Sequence, residues 1–199
     1  MTALCLTIDD VLVAAVDLTQ VDMLAVHLHG SLHRPDMALL SCHGGTYPAD
    51  APSTFRSWAE QVLPRAGQAV TVRLADSVPA GQVTQGRTLA ELYPDEPPCA
   101  RTDFTPTPQE KEALRRQPRV RTGFSWALTT PEGDQLAGRN GADDDSFAFS
   151  VLWTQDRPHQ ARVRFSASNI DNVLRRAGGT DLYQGRLDVG ASVTFRCGD

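Results

Sequence analysis

The chain lacks the features that most often announce a function. Lys111 is its one lysine and the other eighteen cations are arginines, a bias expected of a GC-rich bacterial genome. Twenty-four acidic residues stand against nineteen basic ones. The formal charge is therefore −5, which argues against the broad positive field that nucleic acid or an anionic membrane needs. No run approaches the roughly eighteen uncharged apolar residues of a membrane span. The N-terminal stretch carries Asp9, Asp10 and Asp17 and no basic leader, so a cytoplasmic protein is expected rather than an exported one.

Catalytic signatures are missing too. Cys5, Cys42, Cys99 and Cys197 are scattered without a C-x-x-C pair, unlike a zinc ribbon or a thioredoxin-like motif. Cys5 and Cys197 read as small apolar fillers within strands. There is no G-x-S-x-G elbow, Walker loop or G-x-G-x-x-G fingerprint. Gly44-Gly45 and Gly178-Gly179 read as loop and helix-end residues. Ser41-Cys42-His43 sets a thiol beside an imidazole, but strand neighbours point to opposite faces and do not form a Cys–His pair.

What the chain does have is a repeat. A shift of 123 residues lays Asp22–Asp76 over Asp145–Asp199 without a gap, and eleven of the fifty-five positions are identical. Unrelated segments of ordinary composition share about three. The shared residues include Asp22/Asp145, Arg34/Arg157, Pro35/Pro158, Gly67/Gly190, Thr71/Thr194, Arg73/Arg196 and Asp76/Asp199. An internal duplication is expected.

Within the first copy, period-two alternation over Asp22–Gly30 predicts a strand, Arg34-Pro35-Asp36 a turn, and Met37–Cys42 a return strand. Phe55, Trp58, Ala59, Val62 and Leu63 fall at three- and four-residue steps, predicting a helix capped by Ser53 or Thr54 and ended by Pro64. Ala69–Leu74 predicts a further strand. The second copy offers Phe147–Leu152, a turn at Arg157-Pro158, Ala161–Phe165, a short helix with Ile170, Val173 and Leu174, then Val193–Cys197. Leu4–Ile8 and Val11–Leu18 lead into the first copy, and Val120–Thr129, with Phe124, Trp126 and Leu128 on one face, leads into the second.

The expected fold is therefore α+β: two related β-β-α-β units from a duplication, each an antiparallel sheet packed by a helix. The units span 1–77 and 119–199, and each alone has a thin core, so pairing about a pseudo-two-fold axis is one way to form a single body. Between them, 78–118 reads as a proline-rich connector marked by Pro94, Pro97, Pro98, Pro106 and Pro108, with a polar helix starting at Pro108.

Two clusters invite a chemical reading. His27, His29, His33 and His43 lie within seventeen residues, with Cys42 among them. Alternation puts His27 and His29 on one face, and a hairpin turning about Pro35 sets His43 opposite His27, a half-open site for zinc, nickel or copper. The plainer reading is a strand face that tolerates histidine. Asn140-Gly141-Ala142-Asp143-Asp144-Asp145 lacks the alternating ligands and closing glutamate of an EF-hand and reads as a turn into a solvated acidic loop. The recurring Arg73 and Arg196 read as scaffold, in a cross-strand or carboxylate contact with Asp76 and Asp199.

Two functions follow. The favoured one is a non-enzymatic bacterial protein that binds another macromolecule, an immunity- or antitoxin-like inhibitor being one form, with a basic protein as partner and neither nucleic acid nor membrane. Its contact residues are expected at Trp153 and at Asp143, Asp144 and Asp145 in the acidic loop that leads into the second copy. The alternative is a metal-binding protein or metal-dependent hydrolase using His27, His29 and His43. Neither reading assigns a catalytic residue, and the only cofactor considered is that metal.

Overall fold

A computed structural model of the chain describes residues 2–96 and 105–198. Twelve strands in two antiparallel sheets dominate it. The first sheet contains β1 (Ala3–Ile8), β2 (Val11–Asp17), β6 (Ala69–Ala75), β7 (Ser125–Thr129), β8 (Gln135–Arg139) and β12 (Ser192–Gly198), in the order β2-β1-β6-β12-β7-β8. The second contains β3 (Met23–Ser31), β4 (Leu39–Thr46), β5 (Thr54–Val62), β9 (Ser146–Thr154), β10 (Gln160–Ser168) and β11 (Thr180–Asp188), in the order β11-β10-β9-β3-β4-β5. Three short α-helices, α1 (Leu89–Leu92), α2 (Pro108–Arg116) and α3 (Ile170–Leu174), and two single 3-10 turns, Leu18–Gln20 and Ala80–Gln82, complete the described elements.

This corrects the α+β expectation. Among the described residues, none of α1, α2 and α3 contributes a buried residue to the core between the sheets. The helix expected from Ser53 to Leu63 is the edge strand β5. Its pairing with β4 slips twice, between Leu40 and Cys42 and between Cys42 and His43, and Gln61 sits at a left-handed φ of 50°. Each bulge adds a residue that breaks strict alternation. Ser57, Trp58 and Ala59 thus become buried or half-buried in succession, and the apolar spacing mimics three- and four-residue steps.

The other helices do match the chain's local chemistry. Thr107 and Glu110 form a reciprocal capping box around Pro108 at the start of α2. Asn169 caps the one-turn α3 by accepting from Asn172 N at 2.8 Å. Pro97, Pro98, Cys99 and Asp199 lie outside the described residues. Among those described, no helix is long and apolar enough to cross a membrane.

The two sheets share one core. Leu4, Leu6, Val70, Val72, Val193 and Phe195 point inward from the first sheet, and Leu24, Val26, Leu40, Phe147, Phe149 and Phe165 from the second. Phe195 meets the second sheet directly, with ring centroids 5.1 Å from Phe149 and 4.9 Å from Phe165. Each such side chain fully removed from water contributes about 1.5–3 kcal/mol. Cys197 is buried as expected, whereas Cys5 is half-buried on the outer face across from Arg73.

The repeat appears as a rotation. In the β6–β12 pair Thr71 faces Thr194, with Ala69 opposite Arg196 and Arg73 opposite Ser192. In the β3–β9 pair His27 faces Ser150. At each centre a residue meets its own counterpart 123 positions on, the self-complementary register of a two-fold axis. The strand orders are palindromic about these pairs. Thr71 and Thr194 hydroxyls hydrogen-bond across the axis at 2.8 Å. The segments 1–77 and 119–199 thus each supply three strands to both sheets.

The shared residues hold equivalent joints. Asp22 accepts from Tyr47 N at 2.6 Å and Asp145 from Ile170 N at 2.8 Å. Their own amides donate to Gly45 O and Ser168 O, and their carbonyls accept from Gln155 N and Leu32 N of the opposite half. Gly67 and Gly190, at φ of 83° and 91°, turn the chain into β6 and β12 and donate to Cys197 O and Leu74 O. The second copy adds to its aspartate: His33 Nε2 lies 3.2 Å and Arg119 Nε 3.0 Å from Asp145 Oδ1. Burial pushes the Asp145 carboxyl up, but these donors and Ile170 N–H outweigh it and hold it below the usual carboxylate range. Asp145→Ala should therefore cost about 1–3 kcal/mol, by leaving buried donors without an acceptor. Urea unfolding checks this, and an unchanged midpoint contradicts it.

Candidate functional site

The residues expected to contact a partner are mostly committed internally. Trp153 is not at the surface: it is 3% exposed and packs in the core, and its indole N–H donates to Pro158 O at 3.1 Å. Asp145 is the buried joint described above. Asp144 accepts from Gly141 N at 2.8 Å and closes its own turn, which leaves Asp143 as the exposed carboxylate of the three.

The three histidines do share the outer face of the second sheet, although the hairpin register differs from expectation. His27 faces Ser41, and His43 faces Ala25. A two-residue shift leaves every side chain on its face, so His43 lies diagonal to His27 and their rings stack with centroids 5.2 Å apart. Phe55 of β5 extends this aromatic row, its ring centroid 5.5 Å from that of His43 and tilted by 35°. His29 stands one step along β3, outside the stack. Among the described residues no three His, Cys, Asp or Glu side chains come together in a way that would hold a metal ion.

All three imidazoles titrate below the ordinary histidine value, although His27 and His29 remain open to solvent. Partial desolvation against the sheet is the main cause in each case. His43 adds to it for His27 and Arg34 for His29, while Glu60 opposes it for His43.

The other half of the same face is cationic, and no sequence motif announced it. Arg157, Arg162, Arg164 and Arg186 line an open groove of about 550 Å³ with Ser150, Leu152 and Gln184. Arg164 pairs with Asp181, which also accepts from Gln184. Arg157 lies 3.8 Å from Asp156. Arg162 and Arg186 sit directly opposite each other on β10 and β11, and among the described residues neither has a carboxylate partner. Like charges at directly opposed positions cost a sheet stability. The one available signal was the alternation Arg162-Val163-Arg164-Phe165, but the pairing partner Arg186 lies on a strand that composition did not reveal.

Comparison with protein-family models, curated proteins and solved structures gives no match for this chain. The site's reading therefore rests on its own geometry.

The histidine half makes a pH prediction. A histidine whose folded value is depressed binds protons more readily in the unfolded chain, so stability is complete above the unfolded value and declines as pH falls. Folding stability should decline as pH falls below about 6.5, the ordinary histidine value, through the depressed folded-state values. His43→Phe keeps the aromatic stack and should flatten that slope. Urea midpoints across the window check it, and a slope equal to the wild type's contradicts the role given to His43.

Proposed function

We propose that the protein is a non-enzymatic binding module that holds an acidic protein partner on the outer face of its second sheet. The observation that carries this reading is the opposed, uncompensated pair Arg162 and Arg186 in an open groove. Complementary charge steers a partner and fixes its register, and two unshielded guanidiniums on a sheet invite a negative one. The sign of the partner is thus the reverse of what the net charge of −5 leads one to expect. Net charge describes the whole surface, whereas this groove concentrates four of the chain's arginines.

The aromatic row of Phe55, His43 and His27 borders the groove across β3 and β9 and supplies a weakly polar platform for a partner's side chains. Cys5 and Cys42 form no disulfide among the described residues, which supports a reducing, cytoplasmic setting. The metal reading rests on His27 and His43 alone, for want of a convergent third ligand among the described residues.

The test uses poly-L-glutamate and poly-L-lysine as model partners at about 0.15 M salt, where only close charge pairs survive screening. The protein should bind poly-L-glutamate despite its net negative charge, and the Arg162→Gln/Arg186→Gln double variant should lose that binding. Retention on poly-L-lysine alone, or poly-L-glutamate binding untouched by the double variant, contradicts the proposal.

A further inference from the structure

We propose that the arginine groove is a site for a phosphomonoester dianion, presented as a phosphorylated serine or threonine side chain of the acidic partner. The identity of the ligand's carrier rests on the binding reading above; the dianion site does not.

Of the four guanidiniums lining the groove, Arg164 is engaged by Asp181 and Arg157 lies near Asp156. Arg162 and Arg186 remain, on one face and directly opposed. Side chains at such positions start about 5 Å apart, close enough for two guanidinium forks to close on one small anion. A carboxylate brings a single negative charge and leaves one arginine uncompensated. A phosphomonoester carries about −1.5 to −2 near neutral pH and three acceptor oxygens, matching both forks. The Ser150 hydroxyl lines the same groove and faces Arg164 across β9 and β10.

The repeat supplies an internal control. The positions 123 residues before Arg162 and Arg186 are Leu39 and Leu63, and the position before Arg164 is Ser41. In the first copy Leu39 opens β4 and Leu63 lies just past the end of β5, so that half folds with uncharged residues at these points. The groove is also braced before any ligand arrives: the Trp153 indole holds Pro158 O, fixing the turn that carries Arg157 at the rim.

The test is an amide NMR titration of the full chain at constant ionic strength. The probes are N-acetyl-O-phosphoserine amide, inorganic phosphate, N-acetylglutamate amide and the monoanion dimethyl phosphate. Both phosphate dianions should bind at least roughly tenfold more tightly than the two monoanions. The shifts should centre on 162–164 and 184–186. Arg162→Gln and Arg186→Gln should each weaken phosphate binding at least roughly tenfold, while the melting temperature stays level or rises as the like-charge contact is relieved. A melting temperature that falls in both variants makes the arginines structural and overturns the proposal. So does equal affinity for dianions and monoanions, or a shift pattern elsewhere on the molecule.

Two mixed outcomes separate the dianion site from the binding reading. Poly-L-glutamate binding lost in the double variant, without any preference for phosphate, removes the dianion site and keeps the acidic-partner reading. Inorganic phosphate bound without phosphoserine amide or poly-L-glutamate keeps the dianion site and removes the protein partner.

Discussion

Each half of the chain leaves β3 or β9 at the centre of the second sheet, and β6 or β12 at the centre of the first, with one backbone edge unpaired. The missing edge comes from the other half. Backbone donors and acceptors placed mid-sheet must be satisfied, and an exposed central edge would be a template for aggregation. The same two pairings bring the inward faces together, so that Phe195 from one half packs on Phe149 and Phe165, both from its own half, beside Leu24 and Val26 from the other. The Asp22 and Asp145 carbonyls then tie each half's entry strand to the other half's loop through Gln155 N and Leu32 N. Cross-half pairing is thus the constraint from which core, joints and faces follow.

A two-fold scaffold of this kind offers two outer faces crossed by the axis. On the first sheet the axis passes between Thr71 and Thr194, which are identical and bonded to each other. On the second it passes between His27 and Ser150, which are not. The identical pair closes a hydrogen bond on the axis, whereas the unlike pair marks a face on which the two halves carry different side chains. Around it the first half places imidazoles and Phe55, and the second half places arginines. The copies differ inside the core as well, as at Leu24/Phe147 and Val26/Phe149, but on this outer face the difference is one of charge and ring chemistry.

The duplication, the turn at Pro35, the start of α2 at Pro108 and most strands of the first sheet were legible because each depends on local chemistry. Thr107, Pro108 and Glu110 announce a helix start wherever they occur. The fold class was not legible, because β5 hides its alternation behind bulges whose position depends on pairing with β4. β11 was missed for another reason: only Leu187 of its nine residues is fully buried, as befits an edge strand. Trp153 looked like an exposed aromatic at a strand end, yet it continues the inward series Phe147, Phe149 and Val151 at period two. At the candidate site, the shared face of His27, His29 and His43 could be read from alternation. The facing of Arg162 by Arg186 could not, since it exists only once the register of two strands is known.

The central claim is that neither half is a fold by itself. Its most direct measurement expresses 1–77 and 119–199 separately and follows each, then their mixture, by far-ultraviolet circular dichroism, sedimentation and urea unfolding. The account predicts that neither piece unfolds cooperatively as a monomer, and that mixing restores strand signal and a cooperative transition in a one-to-one complex. A piece that is monomeric, strand-rich and cooperatively unfolded on its own would contradict it.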